Sequence, residues 1–189
     1  MIICPTNLPG VLLLKPERQA DARGWFDETW SQPALDAAVG EPVRFVMEAH
    51  SHSRRGVLRG LHYQLPPHAQ GKLVRVVQGA AFDVALDVRP GSASFGAHVG
   101  VELSAHNGHQ LWIPPGFAHG FLALTDDTHF LYKTTDVYSR ECERSIRWDD
   151  PGLAISWPSV AGGPGLAPKD AAAPTLAAAE LPVWLPNQG

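Results

Sequence analysis

Apolar residues along this chain fall in short runs, and the longest stretches alternate instead of following a helical stripe. In Phe82-Asp-Val-Ala-Leu-Asp-Val88, four apolar positions (Phe82, Val84, Leu86, Val88) alternate with Asp83, Ala85 and Asp87. That period of two predicts a strand with one face buried. Stretches 73–78, 98–103, 109–113 and 129–135 read the same way, and in the last of these Phe130, Tyr132 and Thr134 share a face. A single short helix is predicted over 32–39, behind Ser31 as N-cap. With 18 Gly and 17 Pro, the chain carries turn residues between most of these runs. From Val160 onward Ala, Pro and Gly dominate, which predicts a loosely folded extension with one helical turn near 169–173. The expected architecture is all-β: a barrel over about 43–157, an N-terminal strand layer over about 1–42, and a C-terminal wrap over about 158–189.

A length of 189 residues fits one domain with a real core. The net charge of −4 leaves no basic footprint for a nucleic acid polymer. No apolar run approaches membrane-spanning length, so no membrane partner is expected. The opening Met1-Ile-Ile-Cys-Pro-Thr lacks the basic region and long apolar stretch of a signal peptide. Two cysteines, Cys4 and Cys142, are too few for a disulfide scaffold. These features together predict a cytoplasmic protein.

The candidate chemistry sits in two motifs. Gly108, Pro114, Gly116 and His119 follow the spacing Gly-x5-Pro-x-Gly-x2-His, and Gly56 with His62 follow Gly-x5-His. Both resemble the paired motifs of the cupin superfamily, whose fold is a double-stranded β-helix (a jelly-roll barrel), here with short peripheral helices. Two positions depart from that pattern. Gln64 stands where a second His is usual, and Lys72, with six residues between it and Gly79, stands where a Glu is usual. An ammonium repels a divalent cation, so no metal is expected at this set.

A denser series of blocks runs through the chain in fixed order: Arg55-Gly-Val-Leu-Arg-Gly-Leu-His-Tyr-Gln64, Ala69-Gln-Gly-Lys-Leu-Val-Arg75, Trp112-Ile-Pro-Pro-Gly-Phe-Ala-His-Gly-Phe121, Leu131-Tyr-Lys-Thr-Thr-Asp136 and Ile146-Arg-Trp-Asp-Asp-Pro151. The series resembles the dTDP-4-dehydrorhamnose 3,5-epimerase family of deoxysugar biosynthesis. The resemblance implies an isomerase without metal or organic cofactor, usually a homodimer that exchanges N-terminal strands, acting on a nucleotide-linked sugar. Its reaction inverts C3 and C5 of dTDP-4-dehydro-6-deoxy-D-glucose to give dTDP-4-dehydro-L-rhamnose. Protons on both carbons are acidified by the neighbouring ketone, so the reaction needs a base, a cation near the developing oxyanion and an acid across the ring.

By the same resemblance His62 is the base, Asp170 the carboxylate that holds its tautomer, Lys72 the enolate stabiliser and Tyr132 the acid. Asp83 is a candidate supporting carboxylate or alternative orienter of His62, and His119 a supporting and substrate-binding residue. Arg59 resembles a diphosphate ligand, Tyr138 an aromatic against the base, and Lys169 a phosphate contact. Arg23, Phe26 and Glu28 resemble the segment that the family lends to the neighbouring subunit. The residues alone argue less. A tyrosine on a strand is usually core, an Asp in an Ala/Pro-rich tail usually faces solvent, and scattered charges are usually ordinary surface. A regular strand also points Arg59 away from His62, three residues on, unless Gly60 relaxes it.

Two further features bear on the reading. The family commonly has Gln-x-Asn where this chain has Met47 and Ala49, which removes two amides and bears on substrate selectivity. His50 and His52 form a His-x-His pair ahead of the motif position and read as polar strand or turn residues. The rival readings are an epimerase acting at one centre only, a metal-dependent cupin enzyme, and a non-catalytic sugar-nucleotide-binding barrel.

Overall fold

The computed structural model describes residues 1–183, so positions 184–189 of the expected wrap lie outside the described residues. The chain opens with β1 (Ile2–Pro5), β2 (Leu12–Lys15), the hairpin β3 (Gln19–Asp21) and β4 (Gly24–Phe26), and helix α1 (Gln32–Val39). Then follow β5 (Met47–Ser53), β6 (Leu58–Gln64), β7 (Lys72–Gln78), β8 (Ala80–Asp87) and β9 (His98–Ser104). The last elements are β10 (Gln110–Ile113), β11 (Phe117–Ala123), β12 (Thr128–Thr134), β13 (Glu143–Ser145), a one-turn α2 (Pro168–Ala171) and a 3-10 turn (Leu176–Ala178). The alternating stretches all became strands, within a residue or two of the expected bounds.

Two antiparallel sheets form a jelly-roll barrel, in the orders β1-β2-β10-β7-β12-β5 and β13-β6-β11-β8-β9. Their facing sides meet in one core: Val74, Val76, Leu111, Ile113 and Phe130 from the first sheet, and Ala81, Ala85, Leu103, Phe117 and Phe121 from the second. Phe121 and Phe130 stack across the barrel with ring centroids 4.1 Å apart. Burial of such side chains contributes roughly 1.5–3 kcal/mol each. Helix α1 lies on the outer side of the six-stranded sheet, where Leu35 packs with Val43, Leu73 and Trp112. Its entry matches the sequence in position but not in mechanism. Ser31 is extended and its side chain makes no capping bond; Pro at the helix start and the left-handed Gly40, whose N–H donates to the Asp36 carbonyl, delimit the helix instead.

Strand β8 corrects one expectation. Both of its faces are buried, because a second layer covers the side expected to be the only hydrophobic one. Val84, Leu86 and Val88 pack with Leu61, Tyr63, Ile146 and Leu153, under Trp157, Leu176, Ala179 and Leu181 of the C-terminal segment. The alternate face, with Asp83 and Asp87, therefore points into the barrel, and both carboxylates are fully buried. Side chains around them bind both carboxylates. Asp87 is bound by Arg89, Ser92 and Ser94, and Asp83 by His119.

The C-terminal segment is not loose either. Gly165 exchanges backbone bonds with Gly56 and Leu58, as an added parallel bridge beside β6. Further on, the Leu176 N–H donates to Asp150, the Arg147 N–H to the Pro174 carbonyl, and the Tyr63 hydroxyl to the Glu180 carbonyl. Backbone pairing and a few Leu and Trp anchors fasten a stretch whose composition alone suggests none of this. Among the described residues no helix is long and apolar enough to cross a membrane.

Candidate active site

Between the sheets lies a cavity of about 810 Å³, lined by residues of β5, β6, β7, β11, β12, β13 and the C-terminal segment. Of the residues expected at the site, His62, Lys72, His119, Tyr132, Arg59, Tyr138, Lys169 and Asp170 all line it. Asp83 stands behind His119. Arg23, Phe26 and Glu28 do not reach this chain's cavity; they are exposed on or just after the β3–β4 hairpin, with Arg23 ion-paired to Asp21.

His62 and Arg59 face the same cavity because β6 carries an extra residue. Opposite β11, His119 pairs with His62 but Phe121 pairs with Arg59, so the register shifts between them. The shift is centred on Gly60, at φ 129°. A Cβ on Gly60 would sit 2.5 Å from the Gly120 Cα, so two glycines must face each other for the strands to close. The bulge turns the regular alternation by one step and settles the parity that a straight strand would violate. Arg59 is then held by the Ser53 hydroxyl at 3.1 Å and the His52 carbonyl at 2.9 Å.

Two imidazole–carboxylate pairs occupy the cavity wall. His62 Nε2 lies 2.6 Å from Asp170 Oδ1, and the Gly60 N–H approaches the other oxygen of that carboxylate. Burial pushes the Asp170 carboxyl up, but His62, Gly60 and Lys169 outweigh it and hold the group below the usual carboxylate range. His119 Nε2 lies 2.8 Å from Asp83 Oδ2. Asp83 is thus the partner of His119, not an alternative orienter of His62. Its second oxygen, Oδ1, is buried and finds no hydrogen-bond partner among the described residues.

Lys72 begins β7, with its ammonium 3.4 Å from the His62 carbonyl. Burial lowers its pKa to about 8, against the opposing charges of Asp83 and Glu143. Tyr132 faces inward beside Phe130 and Thr134, as its strand parity requires. At the rim, Glu143 joins Lys169 at 2.7 Å and the Tyr138 hydroxyl at 3.1 Å. Burial raises the Glu143 carboxyl, but Lys169, His62 and Tyr138 together bring it below its ordinary range. Sequence reasoning missed Glu143. Glu141 and Glu143 look alike in the chain, and only the pairing of Glu143 with Gln64 on β6 turns it toward the cavity.

The donor set does not fit a metal of the cupin kind. Lys72 brings a positive charge, and each histidine is engaged by its own carboxylate. The Gln64 amide is spent on the His68 and Val137 carbonyls, while its oxygen accepts the Ser139 N–H. Met47 and Ala49 line the cavity with Ser51, so the two amide-free positions form an apolar patch of its wall.

A barrel with a cation and two carboxylate-paired imidazoles around one cavity defines a class: a jelly-roll isomerase suited to moving protons beside a carbonyl. Known proteins narrow the class. The family model for dTDP-4-dehydrorhamnose 3,5-epimerase matches residues 5–178, and the chain belongs to that family of isomerases. A dTDP-4-dehydrorhamnose 3,5-epimerase of Shigella flexneri is 53% identical over 84% of this chain and 87% of the relative. A dTDP-4-dehydrorhamnose 3-epimerase of Streptomyces niveus is 36% identical over 99% of this chain and 89% of the relative. Among solved structures, the 3,5-epimerase of Legionella pneumophila in complex with dTDP-4-keto-L-rhamnose is 45% identical, with TM-score 0.92 over 97% of this chain and 98% of that one.

Proposed function

We infer that this chain inverts C3 and C5 of dTDP-4-dehydro-6-deoxy-D-glucose, giving dTDP-4-dehydro-L-rhamnose through an enolate. The observation that carries the reading is the meeting of the His62–Asp170 pair and the Lys72 ammonium in one cavity of a chain belonging to this family.

In the proposed mechanism Asp170 accepts a hydrogen bond from the His62 Nε2–H, which leaves Nδ1 as the proton acceptor. His62 removes the acidified proton at C3 or C5. Charge then moves onto the C4 oxygen, where the Lys72 ammonium stabilises it without a metal. Tyr132 returns a proton to the opposite face of the ring, and the centre is inverted. Exchange with water takes the added proton from His62 and restores the one lost by Tyr132, and the second carbon then repeats the cycle. His119, backed by Asp83, is assigned to the sugar, and Arg59, Lys169 and Tyr138 to the diphosphate and base, by the reach of their side chains into the cavity.

We also propose that the working unit is a homodimer in the cytoplasm. What supports a dimer is the β3–β4 hairpin, which leaves Trp25 61% and Phe26 67% exposed, a costly arrangement for two large aromatic side chains in water. On this reading Arg23, Phe26 and Glu28 complete the partner's nucleotide site.

Proton NMR in deuterium oxide with the dTDP-4-keto substrate tests the central reading. Exchange at both C3 and C5 is expected. Exchange at one carbon alone would replace it with the single-centre reading, which the Streptomyces niveus relative and the Met47–Ala49 wall keep in view. No exchange by protein that still binds dTDP would leave a binding barrel.

A further inference from the structure

Met47, Ala49 and Ser51 line the cavity, so the alternate residues of β5 project from the opposite side of the six-stranded sheet. There His52 lies directly across from His129 on β12, and His50 from Leu131. Asp127, in the turn that leads into β12, closes the group. His52 Nε2 is 2.8 Å and His129 Nε2 3.4 Å from the same oxygen, Asp127 Oδ1. Among the described residues this is the single group of three or more His, Cys, Asp or Glu whose ligand atoms all converge within 4.8 Å.

We propose that His52, Asp127 and His129 form a surface site for a divalent transition-metal ion of the zinc kind, separate from the catalytic cavity. The spacing suits it. Metal–ligand bonds of about 2.0–2.1 Å in a tetrahedron set ligand atoms about 3.4 Å apart, so the His129–Asp127 edge already fits and the His52–Asp127 edge opens by roughly half an ångström. Two imidazoles and a carboxylate are the donor types this ion takes, and the exposed face leaves the fourth position to water.

A fourth residue prepares the site. His50 Nε2 lies 2.9 Å from His129 Nδ1. With the His129 Nδ1–H donating to His50, the lone pair of His129 is on Nε2, the atom that faces Asp127. His50 is thus the outer partner that fixes the tautomer and ring orientation of a ligand histidine. The local sequence supplies half of this set as His-x-His, and β12 with the turn before it supplies the carboxylate and third imidazole that the chain order hides.

Calorimetric titration of the full-length, chelator-stripped protein with zinc chloride tests the site, with cobalt(II) visible absorption as a second readout of tetrahedral coordination. One ion per chain is expected. His52→Ala and His129→Ala should each abolish that binding with the far-UV circular dichroism unchanged, and His50→Ala should weaken it about ten- to a hundredfold. His106→Ala, an exposed histidine outside the group, should bind as the parent does. Because His52 is the more exposed of the two ligands, it keeps the test valid if the His129 variant fails to fold. Absence of saturable uptake, or uptake that survives both His52→Ala and His129→Ala, overturns the proposal.

Discussion

The two imidazole–carboxylate pairs in the cavity are chemically alike and assembled in opposite ways. His119 and Asp83 belong to neighbouring strands, with Phe121 opposite Asp83 and His119 opposite Ala85, so formation of the β8–β11 ladder brings them together. Asp83 is sealed off and the His119 side chain is only 10% exposed. His62 and Asp170 are 108 positions apart, and the carboxylate arrives only when the C-terminal segment docks beside β6. Its imidazole is 22% exposed, open enough to meet a substrate. One pair is a product of the sheet; the other is a seam between the sheet and the C-terminal segment. Proton transfer is assigned to the seam, where the imidazole lines the cavity while its partner carboxylate stays buried.

The largest effect expected to separate the pairs comes from His62→Ala, which should lower kcat roughly a thousandfold, in line with loss of a general base. Steady-state turnover with deuterium exchange checks it. If turnover survives in His62→Ala and is lost in His119→Ala, the roles of the two pairs are reversed. Next, Asp170→Asn should lower kcat about a hundredfold with little change in KM, because an amide can present its N–H to Nε2 and favour the wrong tautomer.

Asp150→Ala acts on the seam from a distance. It removes the acceptor of the Leu176 and Gly152 N–H groups. Thermal or urea unfolding should show a loss of about 1–3 kcal/mol. Turnover should fall more than dTDP binding, since Lys169 leaves with the segment while Arg59 stays on β6, and an equal loss of both would show that the seam and the sheet open as one unit.

The smallest effect is in pH. The Lys72 ammonium, at about 8 instead of its ordinary 10.5, is charged below that value and loses its charge as pH rises through it. At pH 7 about nine-tenths of it is still protonated. An alkaline limb near pH 8 in kcat/KM is therefore expected, and Lys72→Arg should shift that limb upward, since a guanidinium does not titrate there. A profile flat through pH 9 in the parent enzyme would show that Lys72 keeps its charge there.

Parity made much of the barrel legible in advance. Phe130, Tyr132 and Thr134 share one face in the chain and face the core or cavity in the fold. Motif spacing likewise marked His62, Lys72 and His119 as one group. Parity misled at β8, where alternation shows which residues share a face but not which side a later segment will cover. It also left Arg59 unresolved, since an extra residue at Gly60 is a property of two strands and not of one. Glu143 carried no signal, because either of two nearby glutamates satisfies the same local pattern.

The sequence by itself determined the strands, the turns, the loss of a cupin metal set and the family, because alternation, glycine placement and motif spacing are local quantities written along one chain. Only the tertiary structure decided that Asp83 serves His119 and Asp170 serves His62, that the acidic side of β8 is the inside, and that His50 and His52 meet His129 and Asp127. Those outcomes depend on which surfaces are left to be buried once the sheets have formed, and burial is a property of the assembled layers.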